Sequence, residues 1–378
     1  MKVFLKGGIR SVKIAGIDLG NDSIKVVHDG SREPVIVPNI VTPGYERHIL
    51  QEEDSPLKAL DVTVYSPSLT HNNRRWFVGL LASELEDNIE LEDMDNKALS
   101  DQSLVVALTA LAFTGITHSS YQTSSFSQTD ELEYVIGTGL PVRTYTRFRE
   151  QFEQRLVGEH EVMFMSTPQL RGRKVKIRIR KAVISIEGAA ALFNLATQEN
   201  LQIQNEEIYN GVIGVCEIGA LTTDLPVIRR MNIDNHFSYG EQMGLAGYLD
   251  LIIREVEDQF GYTFPSRAKL SQRIKQQNYV IQRIGEGQSS IKPIVDTYFS
   301  RAAQRIVDLI KKRWKKCPDI QCFYVIGGGA AALKPYLIDA AGPIKLRFVQ
   351  DSELQNVYGY LKVAKNRVNQ SLTTDTAQ

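Results

Sequence analysis

The first residues that could do chemistry surround a glycine turn between two apolar segments near the start of the chain. The turn consists of Asp18, Gly20, Asn21, Asp22, Ser23 and Lys25. A carboxylate at the end of an apolar strand can hold the water shell of a magnesium ion, and a lysine on the returning strand can neutralise phosphate charge. Glycine lets backbone amides approach a phosphate with no side chain in the way. The segment is therefore a candidate site for phosphate and metal.

A second turn repeats this order of residue types about half a chain later. It comprises Glu217, Gly219, Ala220 and Thr222, within the sequence CEIGALTTD. A third turn contains Gly327, Gly328 and Gly329, carries no acid, and suits the sugar or base side of a nucleotide. One such turn is ordinary hairpin sequence, but three in a fixed order, each directly after an apolar strand, favour a nucleotide site. Asp18 and Glu217 are then expected to meet magnesium, through water.

Strands and helices must hold these turns in place. Residues 13–28 and 212–229 each predict a strand, a turn and a strand, and residues 322–326 predict a short strand. Helical spacing of apolar residues predicts helices over 99–116, 241–260, 291–314 and 353–365. Residues 117–130 are a polar connector. The α/β pattern and the length of 378 residues suit two sizeable lobes.

Other chemistries find little support in the sequence. The chain has neither the Gly-x-x-x-x-Gly-Lys loop nor a Gly-x-Gly-x-x-Gly that follows a strand and opens a helix. Its six histidines are scattered without metal-ligand spacing. Lys plus Arg equals Asp plus Glu at 44 each, so no net field attracts nucleic acid or an anionic membrane. Three cysteines without paired spacing favour a reduced, cytoplasmic protein.

At these motifs the chain resembles the actin, Hsp70 and sugar-kinase superfamily, and within it the bacterial plasmid-segregation actins of the ParM type. Residues 18–25 look like the first phosphate motif, residues 217–224 like the second, and residues 324–330 (YVIGGGA) like the adenosine motif. Residues 136–141 (IGTGLP) are similar to the first connecting segment, and residues 355–360 (QNVYGY) fit the last helix. The resemblance spans nearly the whole chain.

The resemblance implies a two-lobed, ribonuclease H-like fold with a nucleotide cleft between duplicated lobes. We expect lobe I at 1–141 plus 352–378, with an inserted subdomain at about 31–92, and lobe II at 142–351, with an inserted subdomain at about 245–290. The family also implies ATP or GTP with Mg²⁺ in the cleft, filaments that assemble with nucleotide, and hydrolysis after assembly. Its partners would be further copies of the chain and a DNA-binding adaptor, with direct sequence-specific nucleic-acid contact and membrane binding not expected.

Several single residues take roles by this resemblance. Glu187, at a helix start, would orient the water that attacks the terminal phosphate; its alternative is an acid that stabilises the helix N-terminus. Gly240, Glu241 and Gly244 would lie near the ribose, although small residues four apart also serve helix packing. Arg267 and Lys269 could approach the base, or be solvated cations. Together with Glu187, the acids Asp18 and Glu217 form the expected catalytic set.

Two residues of the second turn depart from the family pattern. Relatives generally carry aspartate at the position of Glu217 and glycine at that of Ala220. These changes leave the hydrolysis rate open.

A monomeric phosphotransferase of the same fold is the alternative function. A chaperone would need a further domain, and a membrane adaptor would need an amphipathic terminal helix, whereas residues 371–378 are polar.

Overall fold

The computed structural model describes residues 12–31, 33–47, 55–85, 87–90, 96–117, 129–283, 285 and 287–375. Most of the polar connector at 117–130 and parts of the predicted insertion at 31–92 therefore lie outside the described residues. No helix in these ranges is both long and apolar enough to cross a membrane.

The first half of the chain forms one large mixed sheet. Its strands are β1 (Lys13–Leu19), β2 (Ser23–His28), β3 (Val35–Pro38), β4 (Ile40–Pro43), β5 (Leu60–Tyr65), β6 (Arg74–Val78), β7 (Ile89–Glu90), β8 (Thr129–Leu140), β9 (Gly158–Phe164) and β10 (Lys174–Ile186). Their spatial order is β3-β2-β1-β8-β10-β9-β5-β6-β4-β7. The helices of this half are α1 (Leu80–Ser83), α2 (Asp101–Thr117) and α3 (Val142–Leu156).

The second half builds a smaller sheet with more helix around it. Its strands are β11 (Val212–Ile218), β12 (Thr223–Leu225), β13 (Val227–Arg229), β14 (Asn232–Ile233), β15 (Tyr239–Glu241), β16 (Val280–Gln282), β17 (Gln288–Ser290), β18 (Cys322–Ile326) and β19 (Leu346–Phe348). Its helices are α4 (Ala189–Ala196), α5 (Glu206–Asn210), α6 (Ala246–Phe260), α7 (Arg267–Lys275), α8 (Lys292–Trp314), α9 (Gly328–Ala341) and α10 (Gln355–Asp375). β16 and β17 pair only with each other among the described strands.

The two sheets repeat the same local topology. In the first, β1 pairs antiparallel with β2 and parallel with β8, and β8 pairs parallel with β10. In the second, β11 pairs antiparallel with β12 and β13 and parallel with β18, and β18 pairs parallel with β19. The α/β fold with duplicated lobes is therefore confirmed, and both predicted hairpins form.

The boundary between the first and the second lobe, expected at residue 141, lies too early in the chain. β9 and β10 follow that residue, yet they pair within the first sheet, where β10 lies between β8 and β9. The strands change sheet only after Ile186. β10 belongs to the first sheet because every second residue of its first half is apolar. Val175, Ile177 and Ile179 are buried in the hydrophobic core of that sheet. The range at about 245–290, which was predicted to be an insertion, contains α6, α7 and the separate two-stranded sheet of β16 and β17.

The predicted helices form, with shifted limits. The helix expected at 241–260 begins at Ala246, because Tyr239–Glu241 pairs as β15 with β12. The last helix runs to Asp375, beyond the expected end at 365. Helix α2 is buried on nearly every face, from Ser103 to Ile116, between the first sheet and its insertion.

Helix α10 returns from the end of the chain to pack on the first sheet. Glycines allow this close approach: a Cβ added at Gly16 would lie 2.3 Å from the carbonyl oxygen of Val357, and one at Gly137 would lie 2.0 Å from that of Tyr360. α10 also packs on α4. The C-terminal segment thus packs on the sheet formed by the first half of the chain. Its start is thereby fixed beside the ends of β10 and β11.

Candidate functional site

The three glycine turns meet at one cleft between the two sheets. The cleft encloses about 1170 Å³, counting space open to solvent. Its lining contains the predicted residues Asp18, Gly20, Asn21, Asp22, Ser23, Lys25, Glu187, Glu217, Gly219, Ala220, Thr222, Gly327, Gly328, Gly329 and Arg267. These residues are far apart in sequence, so the fold itself assembles them.

The first turn is held in place by Asn39. Its side-chain amide donates to the carbonyl oxygen of Gly20 at 3.0 Å, and its backbone N–H donates to that of Asp22 at 2.9 Å. The buried Lys25 Nζ lies 3.3 Å from Asp18 Oδ2, its partner directly across the hairpin. A carboxylate and an ammonium group thus stand side by side at the cleft floor, where one suits a hydrated cation and the other a phosphate.

The second turn is supported from below by the segment that leads into α6. The backbone N–H groups of Leu245 and Ala246 donate to the carbonyl oxygens of Gly219 and Ala220, at 3.1 and 2.8 Å. A Cβ at Gly244 would lie 2.1 Å from the carbonyl oxygen of Ala220. Gly244 therefore packs behind the turn and does not line the cleft. Close packing was the alternative to a position near the ribose for this residue.

Glu217 is buried between the two lobes and hydrogen-bonds to the last helix. Asn356 donates its side-chain amide to Glu217 Oε1 and accepts the N–H of Gly188 at 3.0 Å. Glu217 Oε2 is buried and has no hydrogen-bond partner among the described residues. Burial raises the pKa of Glu217 well above its ordinary value, and the nearby carboxylates, Glu187 first, raise it further. This carboxyl is therefore poised to gain stabilisation from a cation or from bound water.

Glu187 forms a buried ion pair with a lysine that the sequence did not single out. Lys97 Nζ donates to Glu187 Oε1, and both side chains are less than a tenth exposed. Burial raises the pKa of Glu187 to about 7, although the charge of Lys97 opposes this. Helix α4 begins two residues later, and Glu187 uses its carboxylate on Lys97. The geometry thus favours a carboxylate in the cleft over one that caps the helix.

Lys97 is itself influenced by several acids. Desolvation lowers its pKa, but Glu187, Asp18 and Glu217 together outweigh that effect, so the pKa of Lys97 is raised. Lys97 lies four residues before α2, in the turn that leads into the helix, and belongs to no recognisable motif. Its role depends on a contact with a residue ninety positions later in the chain, and no spacing rule in the sequence indicates it.

Asp224 is a further buried acid, and it was not predicted as a site residue from the sequence. It lies opposite Glu217 in the second hairpin, just as Lys25 lies opposite Asp18 in the first. This shared seven-residue spacing could have identified it. Asp224 Oδ1 accepts the N–H of Val142 at 2.9 Å, while Oδ2 is buried without a described partner. Burial raises its pKa from an ordinary 3.8 to about 6.

A second cavity adjoins the cleft on the side of Asp224. Asn21, Lys97, Leu221 and Thr222 line both spaces, and Arg143 and Arg147 of α3 line the second one. The predicted ribose residues Gly240 and Glu241 lie here and do not line the cleft. A Cβ at Gly240 would lie 2.5 Å from Asp224 Oδ1, so glycine at 240 leaves room for that carboxylate.

The third turn connects β18 to α9 at the other end of the cleft. Gly327 has φ +93°, and a Cβ there would lie 2.5 Å from the carbonyl oxygen of Ile218. A Cβ at Gly328 would meet no atom within 4 Å, so this residue leaves open space at the start of the helix. Such space beside free helix N–H groups suits a ligand with polar oxygens.

Charged residues of α7 border this end of the cleft. Arg267 lies 2.8 Å from Asp250, and Lys275 lies 2.8 Å from Glu353, which precedes α10. Arg267, Lys275 and Glu353 line the cleft, while Lys269 does not. Of the two cations predicted near a base, the structure thus brings only Arg267 to the cleft.

The acids fit a magnesium ion held through water better than one held directly. Among the described residues, no group of three or more His, Cys, Asp or Glu side chains is arranged as a metal cage. Glu217 lines the cleft, and its unpartnered Oε2 can accept a hydrogen bond from metal-bound water; Mg²⁺ usually keeps several waters beside a phosphate ligand. The residues present therefore fit the implied metal.

Comparisons with known proteins agree on one family. The model of the N-terminal domain of actin-like proteins matches residues 16–189, and the model of the C-terminal domain of archaeal MreB-like actin homologues matches residues 215–339. Both hairpins lie within these two ranges. No curated protein matches the chain in sequence.

Solved structures share the fold at low sequence identity. Bacillus thuringiensis ParM with ATP has a TM-score of 0.69 and 20% identity, over 95% of this chain and 99% of that one. A 15-stranded ParM filament from Clostridium botulinum has a TM-score of 0.73 and 20% identity, over 94% of this chain and 100% of that one. The archaeal actin homologue Ta0583 has a TM-score of 0.70 and 16% identity, over 94% of this chain and 100% of that one.

Proposed function

Because the chain belongs to the actin-like proteins, we propose that it is a nucleotide-dependent polymerising protein that binds ATP or GTP with Mg²⁺ and hydrolyses it after assembly. Its domain models together match residues 16–189 and 215–339, and the ParM structures share its two-lobed fold. The filaments would serve to segregate plasmid DNA through a DNA-bound adaptor.

One observation carries the nucleotide part of this proposal. Two hairpins of equivalent topology, one from each sheet, present their glycine turns to the same cleft, with a third glycine turn at its far end. A nucleotide with its phosphates between the hairpins and its sugar toward the third turn fits this arrangement. Binding would then hold the two lobes together, since each contributes to the same ligand.

The proposed roles follow from the chemistry of each side chain. Asp18 and Glu217 would hold the water shell of the metal, and Lys25 would neutralise phosphate charge. Glu187, with a pKa of about 7, is suited to accept a proton from water or to hold that water in line with the terminal phosphate. Bound Mg²⁺ would neutralise charge that develops on the phosphates during hydrolysis.

Filament formation is supported by the relatives. A ParM of the same fold has been solved as a filament, and others have been solved with ATP, with its analogue AMPPNP and with ADP. The balanced charge of this chain suits an indirect contact with DNA. These relatives favour assembly over the alternative, a monomeric phosphotransferase.

Light scattering and sedimentation test the proposal. Purified protein should remain small without nucleotide and should scatter light and sediment after addition of Mg²⁺ with ATP, GTP or a slowly hydrolysed analogue. Phosphate release should follow the rise in scattering when hydrolysable nucleotide is used. If the protein stays monomeric well above micromolar concentration with all of these nucleotides, the filament proposal is wrong.

A further inference from the structure

Lys97 occupies an unusual place between the two cavities. It lies in the turn four residues before α2, its side chain is 6% exposed, and it lines both the cleft and the adjoining cavity. Its Nζ atom donates to Glu187 Oε1. The proposed water-positioning carboxylate is therefore occupied by a cation in this structure.

The surroundings of this ion pair are rich in negative charge. Asp18, Glu217 and Asp224 approach Glu187 and Lys97, and Lys25 is already paired with Asp18. With all six side chains ionised, the four carboxylates and two ammonium groups give a formal charge of −2. A nucleoside triphosphate would add further negative charge at this place, and its third phosphate would need a cation near Glu187.

The ion pair can exchange its partner without a large movement. A lysine ammonium group carries three donors on a flexible four-carbon stem, so it can turn from one acceptor to another nearby. Phosphate oxygens are strong acceptors for such a charge-assisted hydrogen bond. Lys97 is already largely desolvated before the ligand binds, which strengthens its interaction with any anion that reaches it.

We propose that Lys97 detects the third phosphate of the bound nucleotide by leaving Glu187 and pairing with that phosphate. This inference rests on the proposed function and deepens it. With a diphosphate bound, Lys97 stays on Glu187 and the carboxylate remains occupied. With a triphosphate bound, Lys97 moves and Glu187 becomes available to a water molecule. The same movement thus favours triphosphate binding and prepares the acid for hydrolysis.

Equilibrium binding of ADP and of a slowly hydrolysed ATP analogue, both with Mg²⁺, tests this exchange. Lys97→Met should weaken analogue binding by about 10- to 100-fold and leave ADP binding nearly unchanged, as expected for loss of one charge-assisted contact. Glu187→Gln should strengthen analogue binding severalfold, because Lys97 no longer has a charged competitor. ADP affinity should again change little.

The double variant Lys97→Met with Glu187→Gln separates this role from a structural one. It removes both charges, which avoids leaving an unpaired buried acid, and it should bind the analogue as weakly as Lys97→Met alone. Lys174→Met, at a surface pair with Glu161, is the control and should match the wild type.

The outcomes separate failure of the inference from failure of the function. If the wild type binds neither nucleotide, the proposed function fails. If it binds both and the ratio of the two affinities is the same in Lys97→Met and Glu187→Gln as in the wild type, the partner exchange is wrong. A structural ion pair would instead lower both affinities together.

Discussion

Asp224 provides a quantitative test of how the buried acids affect the stability of the protein without nucleotide. Its carboxyl is 1% exposed, and burial raises its pKa from 3.8 to about 6. The folded state therefore binds a proton more tightly than the unfolded state does. For an acid with this sign, the free energy of unfolding falls as the pH rises from about 4 to about 6.

The magnitude follows from the difference of about two pH units. At about 1.36 kcal/mol per unit, ionised Asp224 destabilises the folded state by about 3 kcal/mol at pH 8. Asp224→Asn removes this pH-dependent loss and keeps an oxygen to accept the N–H of Val142. Relative to the wild type, the variant should gain about 2 kcal/mol between pH 4.5 and pH 8, because part of the difference is already present at pH 4.5.

Urea denaturation without nucleotide, at several pH values from 4.5 to 8, measures this difference. Asp258→Asn replaces an exposed acid on α6 and should show no such trend with pH. A constant difference in the free energy of unfolding between Asp224→Asn and the wild type across this range would contradict a raised pKa of Asp224, whatever the size of the difference. A difference that shrinks as the pH rises would reverse the sign and refute it as well.

Substitutions in the cleft should separate structure, binding and hydrolysis. Gly327→Ala should lower the free energy of unfolding by about 2 kcal/mol, because φ is +93° there, whereas Gly328→Ala has open space and should melt like the wild type. Glu187→Ala should slow phosphate release by about 100-fold while nucleotide binding is retained, and unchanged turnover would remove it from the mechanism. Asp18→Ala should weaken Mg²⁺-dependent nucleotide binding; unaltered affinity would contradict its role. Glu217→Ala should impair Mg²⁺-dependent hydrolysis, and a normal rate would exclude Glu217 from the water shell of the metal.

Local signals in the sequence were sufficient for the hairpins and the third turn. Each consists of an apolar strand followed directly by glycine, and this pattern is decided by neighbouring residues. The turns within residues 18–25, 217–222 and 327–329, which line the cleft, are accordingly recognisable from the sequence. The boundary at 141 was wrong because β-sheet membership depends on pairing between distant strands, and β10 pairs with β8 beyond a helix and another strand.

The charges at the cleft floor were less predictable. Lys97 reaches Glu187 only through the packing of α2, and Asn356 reaches Glu217 only because glycines let α10 approach the first sheet. Asp224 could have been predicted, because it lies seven residues after Glu217, just as Lys25 lies seven residues after Asp18 in the first hairpin. Gly240 and Glu241 line the adjoining cavity because they belong to β15, which extends the second sheet where a helix had been expected from residue 241.

In the proposed complex, the turns of both hairpins face the same phosphates. Ser23→Asp adds a negative charge to the first turn and Thr222→Asp adds one to the second, while Ser300→Asp adds one to an exposed position of α8. Binding of a slowly hydrolysed ATP analogue with Mg²⁺ should weaken by at least about tenfold in each of the first two variants and stay at the wild-type value in the third. Wild-type affinity in either cleft variant, with the fold intact, would contradict a shared phosphate site.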